Sequence, residues 1–113
     1  STLVGKGRTV IKKMIKHIVM WRFKDIVVEE QKIQLKLQMK EHLLGLVGKV
    51  PGLLDAEFVS NPMETSTHEM ALITTFDTPE HLNEYKVHPA HVEVADTYVR
   101  PYTCERSCLD YSM

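Results

Sequence analysis

The chain holds few of the residues that announce a specialised architecture. Its 113 residues include two cysteines, one tryptophan, five glycines and five prolines. Two cysteines cannot build the bridged framework of a small secreted domain, and they make a poor zinc signal. Cys104 and Cys108 lie in "TCERSC". On a strand that spacing puts both thiols on one face about 13 Å apart, beyond the roughly 7 Å a disulfide tolerates. A reducing compartment is therefore expected, and a cytoplasmic location is the default. Long apolar runs are missing too. None approaches the roughly 18 residues of a membrane span, and the amino end has no signal-peptide core. No internal repeat or low-complexity tract appears.

Charge of one sign is scarce in one region only. The net charge is −1, yet residues 1–13, "STLVGKGRTVIKK", contain Lys6, Arg8, Lys12 and Lys13 and no acid. The remaining body is acidic, which argues against nucleic acid as a partner. Residues 1–13 read as a flexible basic leader, because the first strand pattern starts only at Ile15. Residues 14–113 read as one domain, able to bury roughly two-thirds of its unfolded surface.

Within that domain the pattern alternates between strand and helix. In "IKHIVMWRF" (15–23), Ile15, His17, Val19, Trp21 and Phe23 share one face, so His17 stands in line with large apolar side chains. "KIQLKLQMK" alternates like a strand, but residues 28–50 are rich in good helix formers. Met39, Leu43, Leu46 and Val50 recur at helical spacing, as do Ile33, Leu37, Leu44 and Val47. Length favours a helix, ended by Pro51 and Gly52. "LLDAEFVSN" (53–61) and "MALITTF" (70–76) read as strands around a loop headed by Pro62. Met70, Leu72, Thr74 and Phe76 share a face of the second. Thr78 as N-cap and Pro79 at the first position open a helix to about Val87. Pro89 biases His88 out of helical geometry and opens a second helical piece to about Val99. "YTCERSCLDYS" closes as a strand.

The order β-α-β-β-α-β is the split βαβ, ferredoxin-like α+β arrangement, with a four-stranded antiparallel sheet. Its helices cover one sheet face, and little chain is left to cover the other. A homodimer joining two sheets face to face is the simplest solution.

"MIKHIVMWRFKD", "VPGLLDAEF" and above all "YKVHPAHV" resemble the stress-responsive dimeric α+β barrel family, known as Dabb, from Met14 to about Tyr111. The resemblance implies a dimeric α+β barrel with a small pocket between sheet and helices. Most such domains have no defined reaction. One plant branch closes polyketide rings by aldol chemistry without a cofactor, using a tyrosine–histidine pair. On this sequence that pair falls on Tyr85 and His91, and His88 matches a further family histidine. His17 falls where the branch has a histidine. Met70 stands at a pocket-facing position where that branch carries another, so this pocket is expected to be less polar. The expected pocket residues are His17, Val19, Trp21, Phe23, Met70, Leu72 and His88.

Tyr85 and His91 would lie about 240° apart on an unbroken helix; the interruption at Pro89 is what allows them to converge. A histidine with pKa near 6.5 can accept a proton at neutral pH, and a tyrosine with pKa near 10 can polarise a carbonyl oxygen. The same residues also fit plain packing: His88 capping the restarted helix, His91 bonded to a backbone carbonyl, Tyr85 beneath. His88 and His91 supply two metal ligands where zinc needs three or four, so no metal and no cofactor are expected. His42, His68 and His81 read as surface residues. Two readings stand: a homodimeric barrel that binds a small apolar or aromatic molecule without turnover, and a cofactor-free cyclase or lyase using Tyr85 and His91.

Overall fold

The computed structural model describes residues 2–5, 8–11 and 13–113, the first two stretches as backbone only. Thr2–Gly5 (β1) and Arg8–Ile11 (β2) pair antiparallel with each other, Leu3 opposite Val10. The reading of residues 1–13 as a leader otherwise lies outside the described residues.

From Ile15 the order is β3 (Ile15–Phe23), α1 (Glu29–Leu44), β4 (Leu53–Val59), β5 (Met70–Phe76), α2 (Pro79–Val87) and α3 (Pro89–Val94). A π-helical turn, Ala95–Val99, leads into β6 (Thr103–Ser112). The sheet is antiparallel in the order β4-β5-β3-β6, the ferredoxin-like topology that the alternation of patterns predicts. No helix among the described residues is long and apolar enough to cross a membrane.

Alternation on β3 sets the layers. Ile15, His17, Val19, Trp21 and Phe23 are buried against the helices, while Lys16, Ile18, Met20 and Arg22 point the other way. Across the ladder, Phe76, Thr74, Leu72 and Met70 stand opposite Ile15, His17, Val19 and Trp21 and extend the buried face. Each large apolar side chain so covered contributes about 1.5–3 kcal/mol.

Of the two apolar rows expected on the long helix, one is core: Met39, Leu43, Leu46 and Val50 are buried, whereas Ile33 is 74% exposed and Leu37 also faces outward. The helix stops at Leu44, short of Val50. Gly45 follows as C-cap, and Gly48 takes φ +90°, a conformation open to glycine at little cost. The chain continues in turns that still carry Leu46 and Val50 into the core. Gly52, at φ +81°, closes the connection to β4, and its carbonyl accepts the Asp77 N–H at 3.1 Å.

Thr78 Oγ1 accepts the His81 N–H at 3.1 Å and caps α2. The helix ends at His88, whose ψ of 133° reflects the proline that follows. His88 Nδ1 then accepts the Ala90 N–H at 3.1 Å, and its carbonyl accepts the Val92 N–H at 2.9 Å, so one residue ends α2 and caps α3.

β6 departs from regular alternation. Ser107 stands opposite Met20 but Cys104 opposite Arg22, one residue more on β6 than on β3. Glu105 absorbs the insertion at φ +49°. The bulge overturns one expectation: Cys104 pairs with a residue of the open face and Cys108 with buried Val19, so the two thiols do not share a face. Both are free.

Candidate active site

A cavity of about 250 Å³ lies between the helix-facing side of the sheet and the broken helix. β3 contributes His17, Val19 and Trp21 to its wall, β5 contributes Leu72, and the helices contribute Tyr85 and His91. Tyr85 sits in the last turn of α2 and His91 in the first turn of α3. The change of direction at Pro89 stacks their rings, with centroids 4.1 Å apart and planes inclined by 30°. Phe76 and His17 meet the Tyr85 ring edge-on at 5.0 and 6.3 Å. The packing is that of an aromatic cluster with two polar tips.

Burial governs the protonation of this cluster. It pushes the Tyr85 phenol well above its ordinary range, so the hydroxyl stays protonated and can donate. It lowers the His91 pKa, with the charges of Arg100 and His17 acting the same way and nearby backbone carbonyls of Lys86 and Tyr85 opposing. His91 is therefore neutral at pH 7 and able to accept a proton. Its Nδ1 is buried and has no hydrogen-bond partner of good geometry. A buried polar atom left in that state costs about 1–3 kcal/mol.

His17 is fixed from the far side. Its Nδ1 bonds Asp110 Oδ1 across the β3–β6 ladder. A carboxylate can only accept, so Nδ1 carries the proton and Nε2 is left with the lone pair. Burial still lowers the His17 pKa, the bond to Asp110 opposing it. Cys108 Sγ lies 3.7 Å from the same Nδ1 and 3.6 Å from Asp110 Oδ1. Burial and then the Asp110 charge raise its pKa, so this is no activated thiolate. The donor atoms of His17, Cys108 and Asp110 all lie within 4.8 Å of one another, but Lys86 Nζ stands 3.9 Å from Asp110 Oδ2 and Arg106 shares the wall. Those cations oppose a divalent ion, and the cluster acts as a hydrogen-bonded clamp on His17.

Three of the residues expected at the pocket stand elsewhere. Phe23 is buried beneath α1, with Lys32 Nζ 5.6 Å over its ring. Met70 is packed into the core opposite Trp21. His88 is occupied as a cap. Alternation assigns a residue to a face but not to a position along it, and the cavity occupies only part of that face. Of the other histidines, His42 stacks on Tyr98 at 3.8 Å, His68 bonds Thr67, and His81 bonds Asp77 at 2.6 Å, all three half-buried. The sequence also left Asp110, Lys86, Arg100 and Arg106 unmarked. Asp110 is 93 positions from His17, and only the strand register brings the two together.

Fold and site together define a ferredoxin-like α+β domain with a polar aromatic pair in a cavity under its helices. The chain belongs to the family described as the stress responsive A/B barrel domain, Dabb, whose profile matches residues 15–113. It is 32% identical over 89 residues to olivetolic acid cyclase from Cannabis sativa, a match covering 74% of this chain and 82% of that one. A solved dimeric protein of unknown function and ferredoxin-like fold from Bacteroides fragilis superposes with a TM-score of 0.80 at 29% identity, over 88% of this chain and 96% of that one. The hydroxynitrile lyase of Passiflora edulis shares the fold at 16% identity, with a TM-score of 0.69 over 91% and 95% of the two chains.

Proposed function

We propose that the protein works as a homodimer whose two sheets meet face to face, and that each protomer's cavity is a cofactor-free acid–base site of cyclase or lyase type. His91 takes a proton from a carbon next to a carbonyl group. Tyr85 donates its hydroxyl to the carbonyl oxygen on which negative charge develops. His17, held by Asp110, orients the ligand through Nε2, and Val19, Trp21 and Leu72 hold its apolar body. The free thiols fit a reducing, cytoplasmic setting. The similarity to a cyclase and to a dimeric protein supports this reading. The single observation that carries it is the stacked Tyr85–His91 pair on the cavity wall.

The test is turnover of a linear polyketone thioester, followed by mass spectrometry. His91→Ala is expected to lower the rate by about 10²–10⁴-fold, and Tyr85→Phe by a smaller factor. Turnover that survives unchanged in His91→Ala removes His91 as the base. A second reading, ligand binding without turnover, is favoured by one feature: Tyr85 is only 2% exposed, and its ring stacks on His91 instead of meeting it edge-on through the hydroxyl. Saturable binding with no product in the same assay selects it.

A further inference from the structure

Two irregularities of the backbone bring charge to a cavity that the strand and helix patterns make apolar. The first is the bulge on β6. Regular alternation from buried Thr103, opposite Phe23, would turn the residue at 106 outward. The extra residue at Glu105 instead places Arg106 on the same face as Cys108 and Asp110, and Arg106 lines the cavity. A non-glycine residue at φ +49° is uncommon, and here it sits beside the arginine it re-aims. The second is the π-helical turn, closed by the Arg100 N–H donating to the Ala95 carbonyl at 2.8 Å. One inserted residue rotates the rest of the helix by about 100°, and Arg100 also lines the cavity. Lys86 completes the set from α2.

These cations differ in how they are occupied. Arg100 Nη1 donates to Asp96 at 2.6 Å, and Lys86 Nζ is 3.9 Å from Asp110. Arg106 makes no ion pair with any described residue, and residues 1–12 contain no acid. Its charge nevertheless bears on both His17 and Tyr85. Besides the three cations, Val19, Leu43, Leu72 and Val99 contribute apolar wall to the cavity. All three cations are exposed to solvent, so a neutral hydrocarbon would fill that wall and leave them to water alone; a cation would be repelled.

We infer that the cavity takes small molecules with an apolar body and a carboxylate head, and that Arg106 is the residue that selects the head. The inference rests on the cavity being the ligand site, as proposed above, but not on any turnover there. An arginine fork matches a carboxylate's two oxygens, and such charge-assisted bonds are about twice as strong as neutral ones.

Three probes that share one body separate the possibilities: phenylbutyrate, phenylbutyramide and phenylbutylamine. Trp21 is the only tryptophan and stands on the cavity wall, so its fluorescence reports binding directly. Phenylbutyrate is expected to bind at least about tenfold more tightly than the amide, and the amine more weakly than either. Arg106→Gln should abolish the difference between acid and amide, while Arg106→Lys keeps part of it and His91→Ala keeps most. Equal affinity for acid and amide, preference for the amine, an acid preference that survives Arg106→Gln, or no saturable binding of any probe overturns the inference. Catalysis is read separately: a variant set in which His91→Ala abolishes turnover while no acid preference exists leaves the proposed reaction standing and sinks only the carboxylate.

Discussion

At the scale of single residues, the site is governed by burial that acts on groups of unequal need. Tyr85 tolerates depth because its neutral form is the useful one. His91 and His17 lose their charged forms to the same depth. A histidine whose folded pKa lies below its unfolded value binds fewer protons folded than unfolded. Its contribution to stability is intact above the unfolded value near 6.5 and is lost as pH falls through the folded value. His81 has the opposite sign: its bond to Asp77 raises its pKa, so its contribution is present below about 6.5 and fades as pH rises through the folded value. Desolvation acts on both His17 and His91, whereas the His81–Asp77 pair is a third exposed and weakened by solvent screening. The thermal midpoint followed by circular dichroism is therefore expected to fall between about pH 7 and about pH 5. His91→Gln should make that fall shallower; an equally steep curve would mean that His91 is not the group being charged. The residues of this pair are legible in "EYKVHPAHV" because a proline between a tyrosine and a histidine changes which way the helix faces. Asp110 is not, because nothing in the chain order says that β6 lies beside β3 in that register.

At the scale of elements, the sequence marks starts better than ends. Thr78-Pro79 and His88-Pro89 start α2 and α3 as expected, since a cap and a proline act over two or three residues. The end of α1 comes earlier than the apolar spacing suggests, because Gly45 and Gly48 release the helix while the turns after it keep the same side chains buried. The bulge and the π-turn have no sequence signal at all: each is one residue of mismatch between neighbouring elements, set by tertiary pairing. Gly52 is a glycine whose need is visible only in the fold. It holds φ +81°, and a Cβ built there would meet the His81 side chain at 2.3–2.4 Å. Gly52→Ala must therefore strain the backbone and displace the ring that bonds Asp77. A loss of more than about 1 kcal/mol is expected, a fall of about 5 °C or more in thermal midpoint for a domain of this size. The local signature is separate from the global one: the His81 pKa, followed by NMR, should return toward 6.5 as the Asp77 bond is lost. A stable variant with an unmoved His81 would show that the turn accommodates the extra carbon.

At the scale of the whole molecule, one sheet face is left that no helix among the described residues covers. Ile18 and Met20 of β3, Ile73 of β5, Val59 of β4 and Leu109 and Tyr111 of β6 all point to it by their pairing. Leu109 is 61% exposed and Tyr111 45% in the single chain, a poor arrangement for two large side chains in water. In the homodimer proposed above, the face is its own complement, so each side chain is buried twice, once in each copy. Replacing Leu109 with lysine should then remove about 2 kcal/mol per copy, about 4 kcal/mol for the pair, which is roughly a thousandfold in Kd. Light scattering across a dilution series reads this directly: the native chain dimeric at micromolar concentration, Leu109→Lys monomeric. Ile33→Lys, on the outward row of α1, supplies the contrast. It changes an even more exposed apolar residue on the opposite side of the molecule, and its dimer should survive. If Leu109→Lys stays dimeric, the sheet faces do not meet as proposed and the uncovered face needs a different partner; if Ile33→Lys alone dissociates, the pairing runs through the helices.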